Sequence, residues 1–355
     1  MSRQFRANLL LLTSLTGLMA CGGDDSSAAP VAAPPCPPAV TQVTDLAQVV
    51  DADRHNGQVY PDFGNVPAPA RFAGDPAVPG SHAVVRESVN VPRPLGDSGT
   101  SRGTLYMPAA PGTYPLVVVL PGYGATHTGY AAYSELFASH GFFVLGLDTG
   151  EGGFGAASDH ALEAARTVAA IEWVSCAGPR AAEVDASRIA VAGHSKGGKL
   201  AFWAAALDER IDLVIGWDPS NSGGAPCFID PTGCNAQPAA PNCNTPNGGG
   251  AGVLHQMHAE SLVVGVPPDA FTNPDPAHNA LHFYRGAPGP TTYVALRGRH
   301  ADFLIGNPAL QTFTRRVSAI ALLTRLQGRI ITPEYLVGGA GFDPDGVLSA
   351  TPRSK

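Results

Sequence analysis

The sequence predicts an α/β fold, a single domain in which helices pack on both faces of a mostly parallel sheet. Short apolar runs typical of buried strands alternate along the chain with longer segments of helical periodicity. This alternation favours parallel strands joined by crossover helices. The predicted strands lie near residues 116–121, 143–147, 188–193, 212–217, 261–266 and 292–296, and the predicted helices near 129–140, 158–173, 197–208 and 309–327.

The most informative stretch, residues 189–198, joins a predicted strand directly to a predicted helix. It contains the pattern G-x-S-x-G, spelled Gly193-His-Ser-Lys-Gly197. Between a strand and a helix this pattern is typical of the nucleophile elbow of an α/β-hydrolase, whose tight turn excludes side chains at both glycines. The turn presents Ser195 at the carboxyl end of the sheet, where open parallel sheets bind ligands. We therefore predict an α/β-hydrolase fold with Ser195 as the nucleophile.

A nucleophilic serine needs a histidine base, and the base needs a carboxylate that orients it. In this fold the partners follow in the chain order serine, acid, histidine. Five histidines follow Ser195, and His300 is the one that comes after the last predicted strand, near 292–296. His300 is therefore the predicted general base.

Three aspartates are candidates for the acid, because each follows a predicted strand. Asp218 ends the strand near 212–217, and Asp269 and Asp275 follow the strand near 261–266. A carboxylate from either strand end can reach a histidine on the last loop. Asp218 is the favoured acid, with Asp269 or Asp275 as the alternative.

A tetrahedral oxyanion needs two preorganised N–H donors. In this fold one comes from the residue after the nucleophile and the other from the loop after an earlier strand. These positions are Lys196 and Tyr123, which would donate through their backbone N–H groups. His194 and Trp217, which precede the predicted nucleophile and acid, are candidates for the substrate pocket.

Several segments between about residues 85 and 305 resemble known esterases. Pro121-Gly-Tyr-Gly-Ala and Phe137–Thr149, followed by the elbow, resemble bacterial polyester hydrolases related to cutinases and PET hydrolases. Three other segments resemble more closely the chlorophyllase branch of the same superfamily. They are the residues of the elbow itself, Gly216-Trp-Asp-Pro and Arg299-His-Ala-Asp-Phe-Leu.

The two resemblances imply different acids. The chlorophyllase-like pattern implies Asp218, whereas the polyester-hydrolase pattern implies Asp269 or Asp275. Polyester hydrolases usually carry tryptophan where this chain has His194.

The N-terminal residues predict export. Arg3 and Arg6 precede an apolar run that is too short for a membrane span and is typical of a signal peptide. The run ends in Leu18-Met-Ala-Cys21, which resembles the lipobox of bacterial lipoproteins and implies lipidation at Cys21. We expect an exported lipoprotein at the outer membrane or cell surface. The predicted organisation is a signal peptide over 1–20, an Ala/Pro/Ser-rich tether over 21–45, a catalytic domain over 46–330 and a C-terminal tail over 331–355.

A long stretch without periodicity, residues 219–258, leaves the strand that bears Asp218. Loops of this length inside a domain are usually functional. It contains three of the six cysteines, and an exported protein can form disulfides. We expect this loop to border the active site and to be held by a disulfide, and a lid function is a further hypothesis for it.

Composition excludes several other functions. The net charge is −7 and no basic patch is present, so nucleic acid is not an expected partner. No phosphate-binding or dinucleotide motif appears, and triad chemistry needs no metal or organic cofactor. The sequence predicts a serine carboxylic-ester hydrolase that acts on a small or polymeric ester through an acyl-enzyme. The alternatives are a peptidase or acyltransferase with the same triad, and a non-catalytic surface binding lipoprotein.

Overall fold

A mixed sheet forms the centre of the protein. The computed structural model describes residues 70–94, 96–150, 159–221, 254, 257–268, 280–288 and 290–355. Its strands are β1 (Arg71–Phe72), β2 (Val84–Pro92), β3 (Thr100–Pro108), β4 (Tyr114–Leu120), β5 (Phe143–Leu147), β6 (Val184–His194), β7 (Ile211–Trp217), β8 (Glu260–Gly265), β9 (Thr291–Ala295), β10 (Ile330–Ile331) and β11 (Arg353–Ser354).

The strand order across the main sheet is β11-β9-β8-β7-β6-β4-β5-β3-β2. Neighbouring strands from β5 to β9 pair in parallel. Both edges are antiparallel, through β5-β3-β2 on one side and β9-β11 on the other. The predicted parallel arrangement therefore describes the centre of the sheet, whereas the antiparallel edges were not predicted.

The two faces of the sheet carry different helices. The α-helices are α1 (Ala131–Ser139), α2 (His160–Cys176), α3 (Lys196–Leu207), α4 (Ala280–Gly286) and α5 (Pro308–Gln327), and short 3-10 turns include His127–Tyr130 and His300–Phe303. Residues of α2, α3 and α4 belong to one hydrophobic cluster, and residues of α1 and α5 to the other. This arrangement confirms an α/β fold with helices on both faces, and four predicted helices lie at α1, α2, α3 and α5.

The pleat of β4 explains how one strand serves both clusters. Leu116, Val118 and Leu120 belong to the cluster of α2, α3 and α4, whereas Val117 and Val119 belong to that of α1 and α5. Successive side chains of a strand point to opposite faces. A strand buried on both faces must therefore be apolar throughout, which is why its sequence shows a continuous apolar run.

The edge strand β2 and its neighbour β3 lack that run. β2 reads Val-Val-Arg-Glu-Ser-Val-Asn-Val-Pro and is largely exposed. Its polar residues do not resemble the buried strands from which the sheet was predicted. The predicted C-terminal tail also joins the main sheet, because β11 pairs with β9. The short strand β10, at the start of the tail, pairs with β1.

Several predictions fall on residues that the structure does not describe. These are the signal peptide, the tether with Cys21, and most of the 219–258 loop with its three cysteines. Their assignments stay predictions. None of the helices in the described ranges combines the length and the apolarity that crossing a membrane requires.

The elbow glycines lie where three segments meet. A Cβ atom at Gly193 would come within 2.3 Å of the Gly197 backbone, and one at Gly197 within 2.4 Å of the Leu120 carbonyl oxygen. Both contacts are with backbone, which cannot move aside as a side chain can. The expectation that the turn excludes side chains at both positions is confirmed.

Replacing Gly197 by alanine should lower the free energy of unfolding by at least about 2 kcal/mol, because the added methyl group must displace the end of β4. Urea unfolding measures this change. Gly129→Ala is the control, since its Cβ would approach only the Leu304 side chain, at 3.0 Å. If Gly197→Ala lowered the free energy of unfolding by less than about 0.5 kcal/mol, the range of neutral surface changes, the close approach would be contradicted.

Candidate active site

The predicted nucleophile occupies a strained turn between β6 and α3. Ser195 has φ 54° and ψ −118°, a conformation that non-glycine residues rarely adopt. In the described part of the chain one other non-glycine residue has a positive φ, Asp218 at 41°. Each such conformation costs of the order of 1–3 kcal/mol and persists only when surrounding contacts enforce it. The strain therefore falls on two of the residues predicted to form the site.

Backbone hydrogen bonds hold the two strained residues together. The Ser195 N–H donates to the Trp217 carbonyl at 3.0 Å, and the Ser220 N–H donates to the Ser195 carbonyl at 3.2 Å. Trp217 and Ser220 flank Asp218 at the end of β7. The elbow and the loop that bears the predicted acid are thus fixed to each other on both sides of Asp218.

The predicted acid and base form a direct pair. His300 Nδ1 lies 2.6 Å from Asp218 Oδ2, and both side chains are buried. The other carboxylate oxygen, Oδ1, accepts from the Val266 N–H at 3.3 Å. An ionised carboxylate can only accept, so Nδ1 carries the hydrogen and leaves Nε2 as the basic nitrogen. Asp269 and Asp275, the alternative acids, lie outside the described residues.

The loop after β4 lies against the elbow, as an oxyanion loop requires. A Cβ atom built on Gly122 would lie 3.4 Å from Ser195 Cβ. Tyr123, one of the two predicted oxyanion donors, follows directly. The other, Lys196, is the first residue of α3, and the N-terminus of a helix favours negative charge.

The side chain of Lys196 has a role that the motif did not reveal. Its Nζ pairs with Glu163 Oε2 at 2.7 Å and lies 5.8 Å from the centre of the Tyr123 ring. The Thr149 hydroxyl donates to the same Glu163 oxygen at 2.8 Å. The ion pair is largely buried and links both predicted oxyanion residues to α2. No local motif marks Glu163, because it precedes the elbow by about thirty residues.

The two candidates for the substrate pocket lie in the core. Trp217 has no exposed surface, and its Nε1–H donates to the Ser318 hydroxyl of α5 at 2.9 Å. His194 is 5% exposed and bonds the Tyr130 hydroxyl and the His300 carbonyl. Both side chains point into the protein beneath the elbow, because residues at the end of an inner strand alternate between buried faces. This burial corrects the expectation that they line the pocket.

Two further buried basic residues lie close to the elbow. Lys199 is fully buried, and burial lowers the pKa of its ammonium to about 7, against a smaller raising effect of Glu163. Burial also lowers the pKa of His160, to about 2, and the charges of Lys199 and Lys196 act in the same direction. His160 is therefore neutral, whereas Lys199 changes charge near neutral pH.

Comparison with known proteins points to one class of chemistry. The model of a family described as PET hydrolase-like matches residues 62–229, which include Ser195 and Asp218 but not His300. Cutinase est1 of Thermobifida alba is 36% identical over 107 residues, which are 29% of this chain and 34% of that cutinase. A bis(hydroxyethyl) terephthalate hydrolase of Streptomyces coelicolor is 26% identical over 251 residues, 70% of this chain and 69% of that protein.

The cutinase similarity is local. Cutinase 2 of Thermobifida cellulosilytica is likewise 36% identical over 107 residues, 39% of its length. The chain thus spans between a third and two fifths of the length of these cutinases. Together the similarities are to PET-hydrolase-like proteins and cutinases, over parts of this chain.

The buried Lys199 predicts a pH-dependent stability. The pKa of Lys199 is about 7 in the folded protein and has an ordinary value of 10.5. Between these values the unfolded chain binds more protons, so the free energy of unfolding rises with pH, by up to about 1.4 kcal/mol per unit. Below pH 7 both states are protonated and the cost of burying the charge is complete.

Lys199→Met should remove this dependence. The variant should exceed the parent in stability most at pH 6–7, and the difference should shrink towards pH 10. Urea unfolding of both proteins at one-unit intervals measures the difference. Parallel stability curves would show that Lys199 stays protonated when buried.

Proposed function

We propose that the protein is a serine carboxylic-ester hydrolase with the α/β-hydrolase fold and the triad Ser195, His300 and Asp218. The observation that carries the proposal is the 2.6 Å bond between His300 Nδ1 and Asp218 Oδ2 beside a strained serine elbow. This pair leaves His300 Nε2 free of hydrogen and basic. The similarity to cutinases supports the same reaction class.

The reaction follows from these roles. Ser195 Oγ attacks the ester carbonyl carbon while His300 Nε2 takes the hydroxyl proton. The C–O bond to the alcohol breaks as His300 returns that proton to the leaving oxygen, which leaves an acyl-enzyme on Ser195. Water then attacks the acyl carbon and gives a proton to His300. The bond from that carbon to Ser195 Oγ breaks as His300 returns the proton to Oγ, and the acid is released. Asp218 stabilises the imidazolium in both steps.

The charge that develops on the carbonyl oxygen is assigned to the backbone N–H groups of Tyr123 and Lys196. The ion pair of Lys196 with Glu163 supports this assignment because it fixes the first turn of α3. Fixed donors need no reorganisation during reaction, and loss of one such donor typically costs about 10²–10³ in rate.

The proposed substrates are polyesters and the short aromatic or aliphatic esters that polyester hydrolysis releases. Similarity to the cutinases and to the terephthalate hydrolase supports this class. The proposed substrate class follows the similarity to polyester hydrolases, whereas the proposed acid, Asp218, is the one that the chlorophyllase-like pattern implies. We further propose export and lipid anchoring at Cys21, on the sequence pattern alone.

The first alternative, a peptidase or acyltransferase with the same triad, differs in the bond it cleaves or the acceptor it uses. The second, a binding lipoprotein without turnover, would need no strained serine. The strain at Ser195 favours a catalytic role over it. Amide substrates, acceptor alcohols and ester turnover separate the three.

Hydrolysis of a p-nitrophenyl ester series and of bis(hydroxyethyl) terephthalate tests the proposal. The parent protein should turn over both, and Ser195→Ala should lower kcat by about 10⁴-fold or more. Asp218→Asn should lower it by about 10³–10⁴-fold, because the imidazole loses its orienting charge. Circular dichroism and thermal unfolding check that each variant is folded.

Asp269→Asn is the matched control, since it removes the same charge from the alternative acid. Its kcat should stay within about threefold of the parent. If kcat collapsed in Asp269→Asn and stayed nearly normal in Asp218→Asn, Asp269 would be the acid of the triad. No turnover of any ester by the folded parent protein would favour the binding lipoprotein.

A further inference from the structure

A buried chain of hydrogen bonds runs from the loop after β4 to the backbone of His300. The Gly122 N–H donates to the Tyr130 hydroxyl at 3.3 Å, and that hydroxyl lies 2.7 Å from His194 Nδ1. At its other nitrogen, Nε2, His194 lies 3.0 Å from the carbonyl oxygen of His300. The chain thus connects the predicted oxyanion loop, the elbow and the predicted base.

The direction of each bond follows from its last acceptor. A carbonyl oxygen can only accept, so His194 Nε2 must carry the hydrogen and Nδ1 must accept. The Tyr130 hydroxyl therefore donates to Nδ1, and its oxygen remains an acceptor for the Gly122 N–H. Every polar atom of the chain has one compatible role, and no alternative tautomer of His194 makes both contacts.

Packing holds this chain in a single arrangement. Tyr130 has no exposed surface and stacks on Trp217, with ring centres 6.2 Å apart. The rings of His194 and His300 lie 4.6 Å apart, and Phe303 lies 5.5 Å from His194. Rotation of His194 would break two buried hydrogen bonds and leave polar atoms unpaired, which costs free energy.

We propose that Tyr130 and His194 are positioning residues, which fix the main chain of the base His300 relative to the oxyanion loop. This inference rests on the proposed function. Asp218 holds the imidazole of His300 from its side chain, whereas His194 holds the backbone of the same residue. Two anchors on one residue restrict both its translation and its ring rotation, and displacements of about 1 Å can cost about 10²-fold in rate.

The electrostatics of His194 agree with this role. Burial lowers the pKa of His194 well below its usual range, and the nearby His300 imidazole acts in the same direction. His194 therefore stays neutral while His300 exchanges protons, so its donor and acceptor are constant through the catalytic cycle. A charged His194 would lose its acceptor, and the Tyr130 hydroxyl could no longer donate to Nδ1.

Conservative substitutions separate the two bonds of His194. In His194→Gln the amide nitrogen takes the place of Nε2 and can still donate to His300, whereas His194→Asn can only reach Tyr130. We expect kcat to fall about 10-fold in the glutamine variant and about 100-fold in the asparagine variant, with KM within about threefold. Tyr130→Phe should lower kcat by about 10-fold and leave KM unchanged.

Ser318→Ala is the matched control for stability. It removes a buried hydrogen bond, the one to Trp217, from the same aromatic cluster but touches neither His194 nor His300. It should lower the melting temperature as much as Tyr130→Phe does while leaving kcat within about twofold. Equal losses of kcat in Ser318→Ala and Tyr130→Phe would show that the hydrogen bonds have only a structural role. The same would follow if His194→Asn were as active as His194→Gln.

Nitrogen-15 NMR of the histidine side chains tests the chain of hydrogen bonds without relying on turnover. His194, assigned through its variants, should show the Nε2–H tautomer and no titration between pH 5 and 9. The Nδ1–H tautomer would overturn the proposed chain. If the parent lacks esterase activity but His194 shows the expected tautomer, the proposed function fails while the chain of hydrogen bonds stands.

Discussion

The close approach of β6, α3 and the end of β4 at Gly193 and Gly197 is the constraint on which the site depends. No side chain fits between these backbones. The turn between the glycines is therefore short, and Ser195 is forced to a positive φ. The same contact brings the loop after β4 against the elbow, while hydrogen bonds from Ser195 fix the end of β7. One packing requirement thus sets the relative positions of the elbow, the loop after β4 and the end of β7.

Around this contact the buried ionisable side chains are arranged in pairs. Asp218 faces His300, and Lys196 faces Glu163, each at hydrogen-bond distance. A buried carboxylate without its partner is strongly destabilising, so Asp218 and Glu163 fix the positions of the side chains that they bond. Lys199 differs, because its lowered pKa means that the folded protein sheds its charge more readily than the unfolded chain. In the first turns of α3, the Lys196 ion pair therefore fixes the geometry, whereas the buried Lys199 lowers the stability of the fold.

Much of this arrangement could be predicted from local patterns. The inner strands are continuous apolar runs, and Ser195, Asp218 and His300 each follow one, so the chain order of the fold identifies them as candidates. The edge strand β2 escaped prediction because a half-exposed strand resembles a loop in composition. The sequence makes His194 and Trp217 pocket candidates, whereas both side chains are buried, since a side chain's direction at a strand end depends on register. Tyr130 and Glu163 carry no motif and are defined only by tertiary contacts.

The inward direction of His194 and Trp217 changes how specificity has to be explained. From sequence alone, histidine in place of tryptophan at the residue before the nucleophile suggests altered contact with the substrate. In this chain that residue bonds the backbone of His300, so under the proposed mechanism a change there would act on the position of the base. The half-buried Tyr123 ring, next to the Lys196 ammonium, is the described aromatic side chain that adjoins the elbow from the oxyanion loop. The Lys196–Glu163 pair thus lies beside both residues to which the proposed mechanism assigns the oxyanion.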